Sequence, residues 1–516
     1  MDLDEEPRLF RSDAQDPPME ALHYFPRNVS ILKELPVDNI FQILSFSDPK
    51  DIFAFSQTCK AFLQITLTRT VWMNALRRVC EINSLFKPSF PFDNMSFSDL
   101  QRAATLGAVP RFARRLYKQE GDGVSVPLAP FHRRVFIPRV TKSSKVASED
   151  PGTLKTLDLI PGGRFLIVTT STLVHLCDLG YDAAKLIRPH ALASIALPDP
   201  GGEPSISVLP TDDGTGLEVM VETRSYQLAS RTCTIAHYRI FPLAAYPEFT
   251  PVSETPTVIE DLVDKGFLVK PGHCMLQRGR KIFIWNTARN LWVSWKAEEF
   301  PQEIFAYQNQ IIAIGRKTIT IWEIPMPHCD NADDSLLENY PSMLSLSHPF
   351  PRKSLDITSS TGWFSATSIK PCFLSLVGWK EDTRCIARYT MQSLARGANR
   401  NLPGSIPILM DTSPISGASD YLDTLDEIQP CGADALSVWT SETSPLIEVH
   451  ISPMPTERQT EGPPFKTVRL FEYHGTGRPD DFDFSVCPIT GRLCTMTGYN
   501  SEILVVDFLV PEWKDD

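Results

Sequence analysis

The sequence predicts a protein of two unlike parts, a small helical unit followed by a much larger domain of β-strands. Three observations support this prediction. Apolar residues recur at helical spacing from residue 31 to about residue 119. From about residue 131 this periodicity fades, and short runs of β-branched and aromatic residues alternate with clusters of turn-forming residues. The length of 516 residues is enough for two or three domains.

Composition and charge limit the class of protein. The chain is 42% hydrophobic and 22% charged, which is typical of globular proteins. Its net charge of −12 disfavours a nucleic-acid partner, and the acidic residues of 1–28 predict a disordered tail. No apolar run is long enough to span a bilayer, so no membrane partner is expected.

The cysteines predict neither a metal site nor a disulfide framework. There are eleven, an odd number, and they form no CxxC pair and no zinc-type spacing with histidine. Reduced thiols are typical of cytosolic and nuclear proteins. We therefore expect a cytoplasmic or nuclear location, without a bound metal or other cofactor.

The helical unit is predicted over residues 29–82, and its first helix begins at Pro36. Proline suits the first helical position, because no backbone N–H is needed there. Asp38 then lies in the first turn, where a negative charge complements the helix dipole. Ile40, Ile43 and Leu44 follow at helical spacing and share a face.

Two further helices are predicted in the same unit. Asp48 and Pro49 form a cap followed by a first-turn proline, and Thr68 or Thr70 can cap the third helix. The two apolar stripes consist of Ile52, Phe55, Cys59, Phe62 and Leu63, and of Val71, Trp72, Ala75, Leu76 and Val79. These residues exceed what so small a unit can bury, so we expect a partner to cover some of them. The alternative is an ordinary three-helix bundle with all of them in its own core.

The run LPVDNIFQILSFSDPKDIFAFSQTCKAF at residues 35–62, with Trp72 ten residues later, resembles the F-box motif. Phe46 and Asn39 are mild departures from the family pattern. The resemblance implies docking onto the Skp-type adaptor of a cullin-RING ubiquitin ligase. The residues implied to bind the adaptor are Leu35, Pro36, Ile40, Ile43, Leu44, Phe46, Pro49, Ile52 and Phe55. Those implied to form the motif's own core are Cys59, Phe62 and Trp72.

A helical linker is predicted over residues 83–120, and the β domain over residues 131–512. Several strand pairs of this domain end in an aromatic or small residue followed by a polar one. The pairs are Cys177-Asp178, Tyr238-Arg239, Trp285-Asn286, Trp322-Glu323 and Val506-Asp507, with echoes at Tyr389-Thr390 and Val449-His450. The run of residues 161–179 resembles a degenerate WD-type propeller blade.

The resemblance implies a β-propeller of six to eight blades, with seven favoured by the number of anchors. Spacing between anchors is uneven, and WD repeats run about 40–45 residues, so the longer steps require inserted loops. Residues 133–138 are expected to pair with residues 503–509 and close the ring, which removes exposed sheet edges. A pair of β-sandwiches is the competing architecture.

No catalytic motif is present. A P-loop, GxSxG, HExxH and EF-hand are all absent from the sequence. Basic residues at two predicted turns, Arg278, Arg280, Lys281 and Arg316, are candidates for binding a target that carries phosphate, although turn residues are commonly charged. We therefore expect a non-catalytic substrate receptor of an SCF-type ligase. The alternatives are a non-degradative F-box scaffold and, third, a propeller enzyme.

Overall fold

The structure is a computed structural model of the chain. It describes residues 35–108, 111–118, 127–140, 152–227, 230–253, 257–260, 263–325, 335–337, 340–350, 356–359, 363, 373–380, 383–393, 404–414, 424–431, 434–440, 446–453, 466–472, 483–496 and 502–509. The predicted tail, residues 1–28, lies outside these ranges. The predicted domain boundaries stay predictions.

The helical unit contains four helices where the sequence predicted three. They are α1 (Val37–Phe46), α2 (Pro49–Ser56), α3 (Lys60–Thr66) and α4 (Arg69–Ile82). The second predicted stripe is divided between α2 and α3. Hydroxyls cause the break, because Ser56 Oγ donates to Phe53 O at 2.6 Å and Thr58 Oγ1 donates to Phe55 O at 2.8 Å. Such side-chain bonds compete with continuation of a helix.

The linker contains a short 3₁₀ turn and two more helices. These are Lys87–Ser89, α5 (Phe97–Ala108) and α6 (Arg111–Lys118). Ser96 caps α5, since its Oγ accepts from the Asp99 N–H at 3.1 Å while Asp99 Oδ2 accepts from the Ser96 N–H at 3.2 Å. This reciprocal pair is a capping box with aspartate as its acidic member.

The described residues of the β domain form seven sheets, each with sequential antiparallel strands. Sheet 1 contains Leu154–Leu159, Phe165–Thr170, Leu173–Asp178 and Ala193–Ala196. Sheet 2 contains Glu203–Pro210, Leu217–Gln227, Ser230–Ile240 and Thr257–Glu260, with Thr250–Pro251 also paired to the third strand. Sheet 3 contains Lys265–Lys270, His273–Arg278, Lys281–Asn286 and Leu291–Lys296, with Ser335–Leu337 added in parallel.

Sheets 4 to 7 repeat the arrangement. Sheet 4 contains Glu303–Tyr307, Gln310–Ile314, Thr318–Glu323 and Leu344–Ser347. Sheet 5 contains Asp356–Ser359, Phe373–Lys380, Thr383–Ser393 and Ser405–Pro414. Sheet 6 contains Thr424–Cys431, Asp434–Thr440, Leu446–Pro453 and Lys466–Glu472. Sheet 7 contains Phe484–Cys487, Arg492–Met496 and Ile503–Asp507, completed by His132–Phe136 from the start of the domain.

Two features give the sheets a propeller-like arrangement. The first strand of each sheet contacts the first strand of the next, in the order of sheets 7, 1, 2, 3, 4, 5 and 6. The last strand of sheet 7 comes from the start of the domain, with Arg133 opposite Val506 and Val135 opposite Leu504. This antiparallel pairing confirms the predicted closure, because it joins the start of the domain to its end in one sheet. The blade count itself stays a prediction.

The polar anchors seen in the sequence lie at the same place in five sheets. Each is at or next to the end of a third strand and contacts a polar side chain at or next to the start of the second. The pairs are Asp178–Arg164 at 2.8 Å, Arg239–Glu218 at 2.6 Å, Asn286–His273 at 3.1 Å, Glu323–Asn309 at 3.3 Å and Asp507–Arg492 at 2.6 Å. The repeat is therefore structural, because it fastens neighbouring strands at one end of each sheet.

The end of the sheets that carries these anchors also contacts the helices, and we call it the near face. It holds the connections between first and second strands and between third and fourth strands. The opposite end, with the turns between second and third strands, is the far face. The apolar core of the helical unit is continuous with that of sheets 1 and 7, from Trp72 and Leu100 to Leu166 and Val505. The helical unit is therefore packed onto the β domain.

Candidate functional site

One side of α1 presents a stripe of exposed residues at helical spacing. Pro36, Asn39, Ile43 and Phe46 are separated by three, four and three positions, and all four are exposed. Ile43 is 46% exposed and Phe46 is 67% exposed. Large apolar side chains repeated on one outer helix face are typical of a docking surface. We call this set the α1 stripe.

The opposite side of α1 is sealed inside the protein. Ile40 and Leu44 are buried and pack in one cluster with Val71, Trp72 and Leu76 of α4. Among the residues predicted to bind the adaptor, the structure therefore separates three groups. Pro36, Ile43 and Phe46 are exposed, Leu35 and Phe55 are half-buried, and Ile40, Leu44, Pro49 and Ile52 are buried. Their binding roles stay predictions, but only the exposed group can be contacted directly in this conformation.

The residues predicted as the motif's core hold the short helices together. The Phe62 ring stacks on the Phe55 ring with centroids 4.0 Å apart, and Trp72 lies 4.9 Å from Phe53. Trp72 Nε1 donates to Thr66 O at 2.8 Å, which satisfies the buried indole. Cys59 is half-buried at the start of α3. This packing fixes α1 in place, so the α1 stripe is preorganised.

A second exposed apolar pair lies on and after α3. Leu63 and Leu67 are four positions apart and are 43% and 56% exposed. Leu63 was predicted in the second apolar stripe, and Leu67 was not predicted as part of any surface. Leu63 and Leu67 are four positions apart and therefore share a helix face. Each directly follows a buried residue, Phe62 or Thr66, so this face is not the buried one. That spacing could have identified the pair from the sequence.

The helical unit is held against the near face by contacts to three sheets. Phe86 N–H donates to Pro161 O at 2.8 Å, and the Phe86 ring contacts Phe165 of sheet 1 at 5.9 Å. Trp363, from the connection between the first two strands of sheet 5, donates from Nε1 to Ser84 O at 2.6 Å. Phe112 of α6 contacts Phe508, which follows sheet 7, at 5.9 Å. These contacts give the α1 stripe a definite orientation relative to the ring.

The predicted target-binding residues lie at two far-face turns of neighbouring sheets. Arg278, Arg280 and Lys281 lie at the turn between the second and third strands of sheet 3, and Arg316 lies at the equivalent turn of sheet 4. Arg280 Nε donates to Ala297 O at 3.0 Å, and Lys281 Nζ lies 4.6 Å from the centre of the Phe283 ring. Arg316 is exposed. The structure thus brings the four residues to one face, and target binding there stays a prediction.

Glu218, His237 and Thr287 form a buried polar cluster that resembles an acid, a base and a nucleophile. His237 Nδ1 lies 2.7 Å from Thr287 Oγ1, and its Nε2 lies 3.1 Å from Glu218 Oε2. Burial alone would raise the pKa of Glu218, but hydrogen bonds from His237, Arg239 and the Gly272 N–H outweigh it and lower that pKa to about 2. All three side chains of the cluster are buried, so no substrate reaches them, and the cluster joins sheets 2 and 3.

Within the part of the chain that the structure describes, no group of three or more His, Cys, Asp or Glu side chains is arranged to hold a metal ion. None of the described helices has the length and apolar character required to cross a membrane.

Comparison with known proteins identifies the helical unit. Residues 32–78 match the family model described as F-box-like. The chain thus carries an F-box segment ahead of an all-β domain whose antiparallel sheets are arranged like propeller blades. An F-box segment suggests an adaptor-binding or substrate-receptor role in SCF-type ligases, since F-box domains generally bind Skp-type adaptors.

No curated protein matches the chain. Among solved structures, the WD40 domain of SCAP from fission yeast is similar at 10% identity, over 70% of this chain and 82% of that one, with a TM-score of 0.36. Hsv2 from Kluyveromyces marxianus is similar at 10% identity, over 62% and 97%, with a TM-score of 0.31. The Saccharomyces cerevisiae core factor is similar at 10% identity, over 77% and 63%, with a TM-score of 0.42. At these values the similarities carry no argument about function.

Proposed function

We propose that this protein is the substrate-recognition subunit of an SCF-type ubiquitin ligase. The F-box segment binds a Skp-type adaptor, and through it the cullin-RING complex, while the β domain holds a target protein. The observation that carries the proposal is the α1 stripe, because Ile43 and Phe46 project from a helix whose opposite side is already sealed.

The α1 stripe, with Leu63 and Leu67, is the adaptor surface in this proposal. Burying an Ile, Leu or Phe side chain contributes roughly 1.5–3 kcal/mol, so a few half-exposed residues supply a useful part of the binding free energy. Association itself costs about 4–15 kcal/mol, so polar contacts from neighbouring exposed residues such as Asn39 and Gln42 are expected to contribute as well.

The far face is the target surface in this proposal. The helical unit occupies part of the near face, whereas Arg278, Arg280 and Arg316 lie on the opposite side of the ring. Catalysis then works by proximity, because the bound target is held near the ubiquitin carrier and its effective concentration rises. The chain supplies no catalytic residue, and it acts in the cytosol or nucleus, where the free thiols of the described cysteines are stable.

The test is co-purification of the full chain with a Skp-type adaptor and cullin, using wild type and Ile43→Asp/Phe46→Asp. Wild type should retain both proteins, and the double variant should lose both. Retention by the double variant, or no capture by wild type, contradicts the proposal. The amount of target protein in cells distinguishes this role from that of a non-degradative scaffold. If the complex leads to degradation, the target accumulates in cells that carry the double variant. If the protein is a scaffold, the amount of target does not change.

A further inference from the structure

Four exposed residues form a ridge where the outer parts of sheets 1 and 7 meet. Leu186, Arg188 and His190 lie in the connection between the third and fourth strands of sheet 1, and Arg139 follows the edge strand of sheet 7. The two segments are joined by a parallel bridge between Arg139 and His190, in which the Arg139 N–H donates to Pro189 O at 2.8 Å. We call these four exposed residues the basic ridge.

Alternating burial determines which way the side chains of the ridge point. Ile187 and Ala191 pack into the core cluster that the helical unit shares with sheets 1 and 7. Leu186, Arg188 and His190 occupy the alternate positions and are exposed, Leu186 by 92%. Successive side chains of an extended segment point to opposite sides. The basic ridge is therefore held from behind and presented to solvent.

The guanidinium groups of the basic ridge have no acidic partner. Among the residues that the structure describes, the side chains of Arg139 and Arg188 make no hydrogen bond or ion pair. Asp182 is the acid of the same connection, and it already pairs with Lys185 at 3.5 Å. Two exposed positive charges therefore lack a counterpart, on a protein whose net charge is −12.

A segment of matching chemistry is present in the same chain. Residues 1–20, which lie outside the described ranges, contain seven acids and two arginines. They also contain Leu3, Leu9 and Phe10, apolar side chains that suit a contact with Leu186. Guanidinium groups bind carboxylates through two parallel hydrogen bonds. Residues 1–20 therefore complement the basic ridge in both charge and polarity.

The acidic segment is attached within reach of the basic ridge. Leu35, where the described part of the chain begins, packs against the same core cluster as Ile187 of the ridge connection. Residues 21–34 join the acidic segment to this point. An extended chain spans about 3.3 Å per residue, so this connection covers up to roughly 45 Å. That length carries residues 1–20 to either side of the cluster.

Tethering favours this segment over a free acidic partner. An exposed ion pair contributes about 0–1 kcal/mol, so a few such pairs hold a free acidic segment only weakly. A segment attached through a short connection has an effective concentration on the order of mM, which is enough to populate a weak contact. The occupant expected at the basic ridge is therefore part of the same chain.

We propose that residues 1–20 bind the basic ridge of the same molecule. Their carboxylates contact Arg139 and Arg188, and an apolar side chain of the segment contacts Leu186. The proposal stands independently of the ligase role, because the basic ridge shares no residue with the α1 stripe or with the candidates of the far face.

The test is cleavage of the full chain by a glutamate-specific protease, followed by mass spectrometry of the fragments released from residues 1–20. The sites in this segment are Glu5, Glu6 and Glu20. At low ionic strength, cleavage there should be at least about threefold faster in Arg139→Gln/Arg188→Gln than in wild type, because the segment is no longer held. In about 0.5 M NaCl the two rates should become equal, since salt screens the contacts. Equal rates at low ionic strength, or a difference that salt leaves unchanged, overturn the proposal.

A matched control locates the contact. Lys296→Gln/Lys317→Gln removes two exposed positive charges from the far face and should be cleaved like wild type. Both double variants change exposed side chains, so both should keep the wild-type melting temperature. Equal acceleration of cleavage in the control overturns the assignment to the basic ridge. Protection that increases with protein concentration indicates binding to a second copy and overturns binding within one molecule.

Discussion

The helical unit and the far face of the β domain both expose residues suited to binding, but their chemistry is opposite. The α1 stripe is mostly apolar and belongs to a helix that is packed firmly from behind by Ile40 and Leu44. The far-face candidates are arginines and a lysine at strand turns, and two of them, Arg280 and Lys281, contact groups of their own sheet.

Because of this difference in chemistry, we expect the two surfaces to depend on single residues to different degrees. Apolar side chains that become buried contribute through area, so removing one or two of them removes most of the affinity. Exposed charges at turns are screened by water and salt, and each contributes little by itself. The α1 stripe should therefore be sensitive to single changes, and the far face should not.

The largest effect is expected for Ile43→Asp/Phe46→Asp. Two buried contacts of roughly 1.5–3 kcal/mol each are lost, and two carboxylates are placed in an apolar interface, so adaptor affinity should fall by at least about a hundredfold. Because both side chains are exposed in the free protein, the melting temperature should stay within about 2 °C of wild type. Surface plasmon resonance and thermal unfolding measure the two quantities.

The contrasting variant is Leu44→Asp, one position from Ile43. Leu44 is 1% exposed, so a carboxylate there should unfold the helical unit and abolish binding indirectly. If Leu44→Asp keeps the wild-type melting temperature, the division of α1 into a sealed side and a binding side is wrong.

Trp72→Ala should produce the next largest effect, on stability. The substitution removes a buried ring that contacts Phe53 at 4.9 Å and an indole hydrogen bond to Thr66, and truncations of this kind cost about 3–5 kcal/mol. Denaturant unfolding of the full chain measures the loss. The same truncation at Trp379, which is 38% exposed, is the control and should cost less than half as much.

Lowering the pH below 6.5 should destabilise the β domain through histidine protonation and should not affect the helices in this way, because residues 35–118 contain no histidine. In sheet 1, burial lowers the pKa of His175 from 6.5 to about 4. The unfolded chain therefore binds this proton more readily than the folded one below pH 6.5. The resulting stability is present above pH 6.5 and is lost as the pH falls toward 4, by up to about 3 kcal/mol.

His175→Asn tests this assignment. Unfolding free energies measured between pH 7 and pH 4 should decline less steeply in the variant than in wild type. Parallel curves for the two proteins would show that His175 is not responsible.

Local patterns made most of the helical unit predictable from sequence. Ile40 and Leu44, with Trp72, share buried helix faces as the spacing indicated, and proline begins α2. The division between α2 and α3 was missed, because an apolar stripe continues across it while the hydroxyls of Ser56 and Thr58 end the helix.

Which of the predicted binding residues are exposed depends on tertiary contacts, which the sequence pattern does not reveal. Periodicity assigns Ile40 and Ile43 to one face of α1, yet only the packing of α4 decides that the first is buried and the second is exposed. The closure of the ring was predictable, because two strand-like runs at opposite ends of the domain needed partners. The contact between the residues after α4 and sheet 5 was not, because Ser84 and Trp363 are far apart in the chain and carry no shared motif.

The smallest effect is expected at the far face, for Arg316→Glu. Arg316 is exposed at a turn, so its replacement should change the unfolding free energy by no more than about 0.5 kcal/mol. Adaptor affinity should stay within about twofold of wild type, because the α1 stripe lies on the helical unit at the other face. Capture of the target should weaken, and more so when Arg278 and Arg280 are also changed, since several exposed charges act together where one alone contributes little.

The decisive comparison is with Arg289→Glu, an exposed arginine at the near-face turn between the third and fourth strands of sheet 3. If Arg289→Glu reduces target capture as much as Arg316→Glu, charge in general and not the far face is responsible, and the contrast between the two surfaces no longer holds.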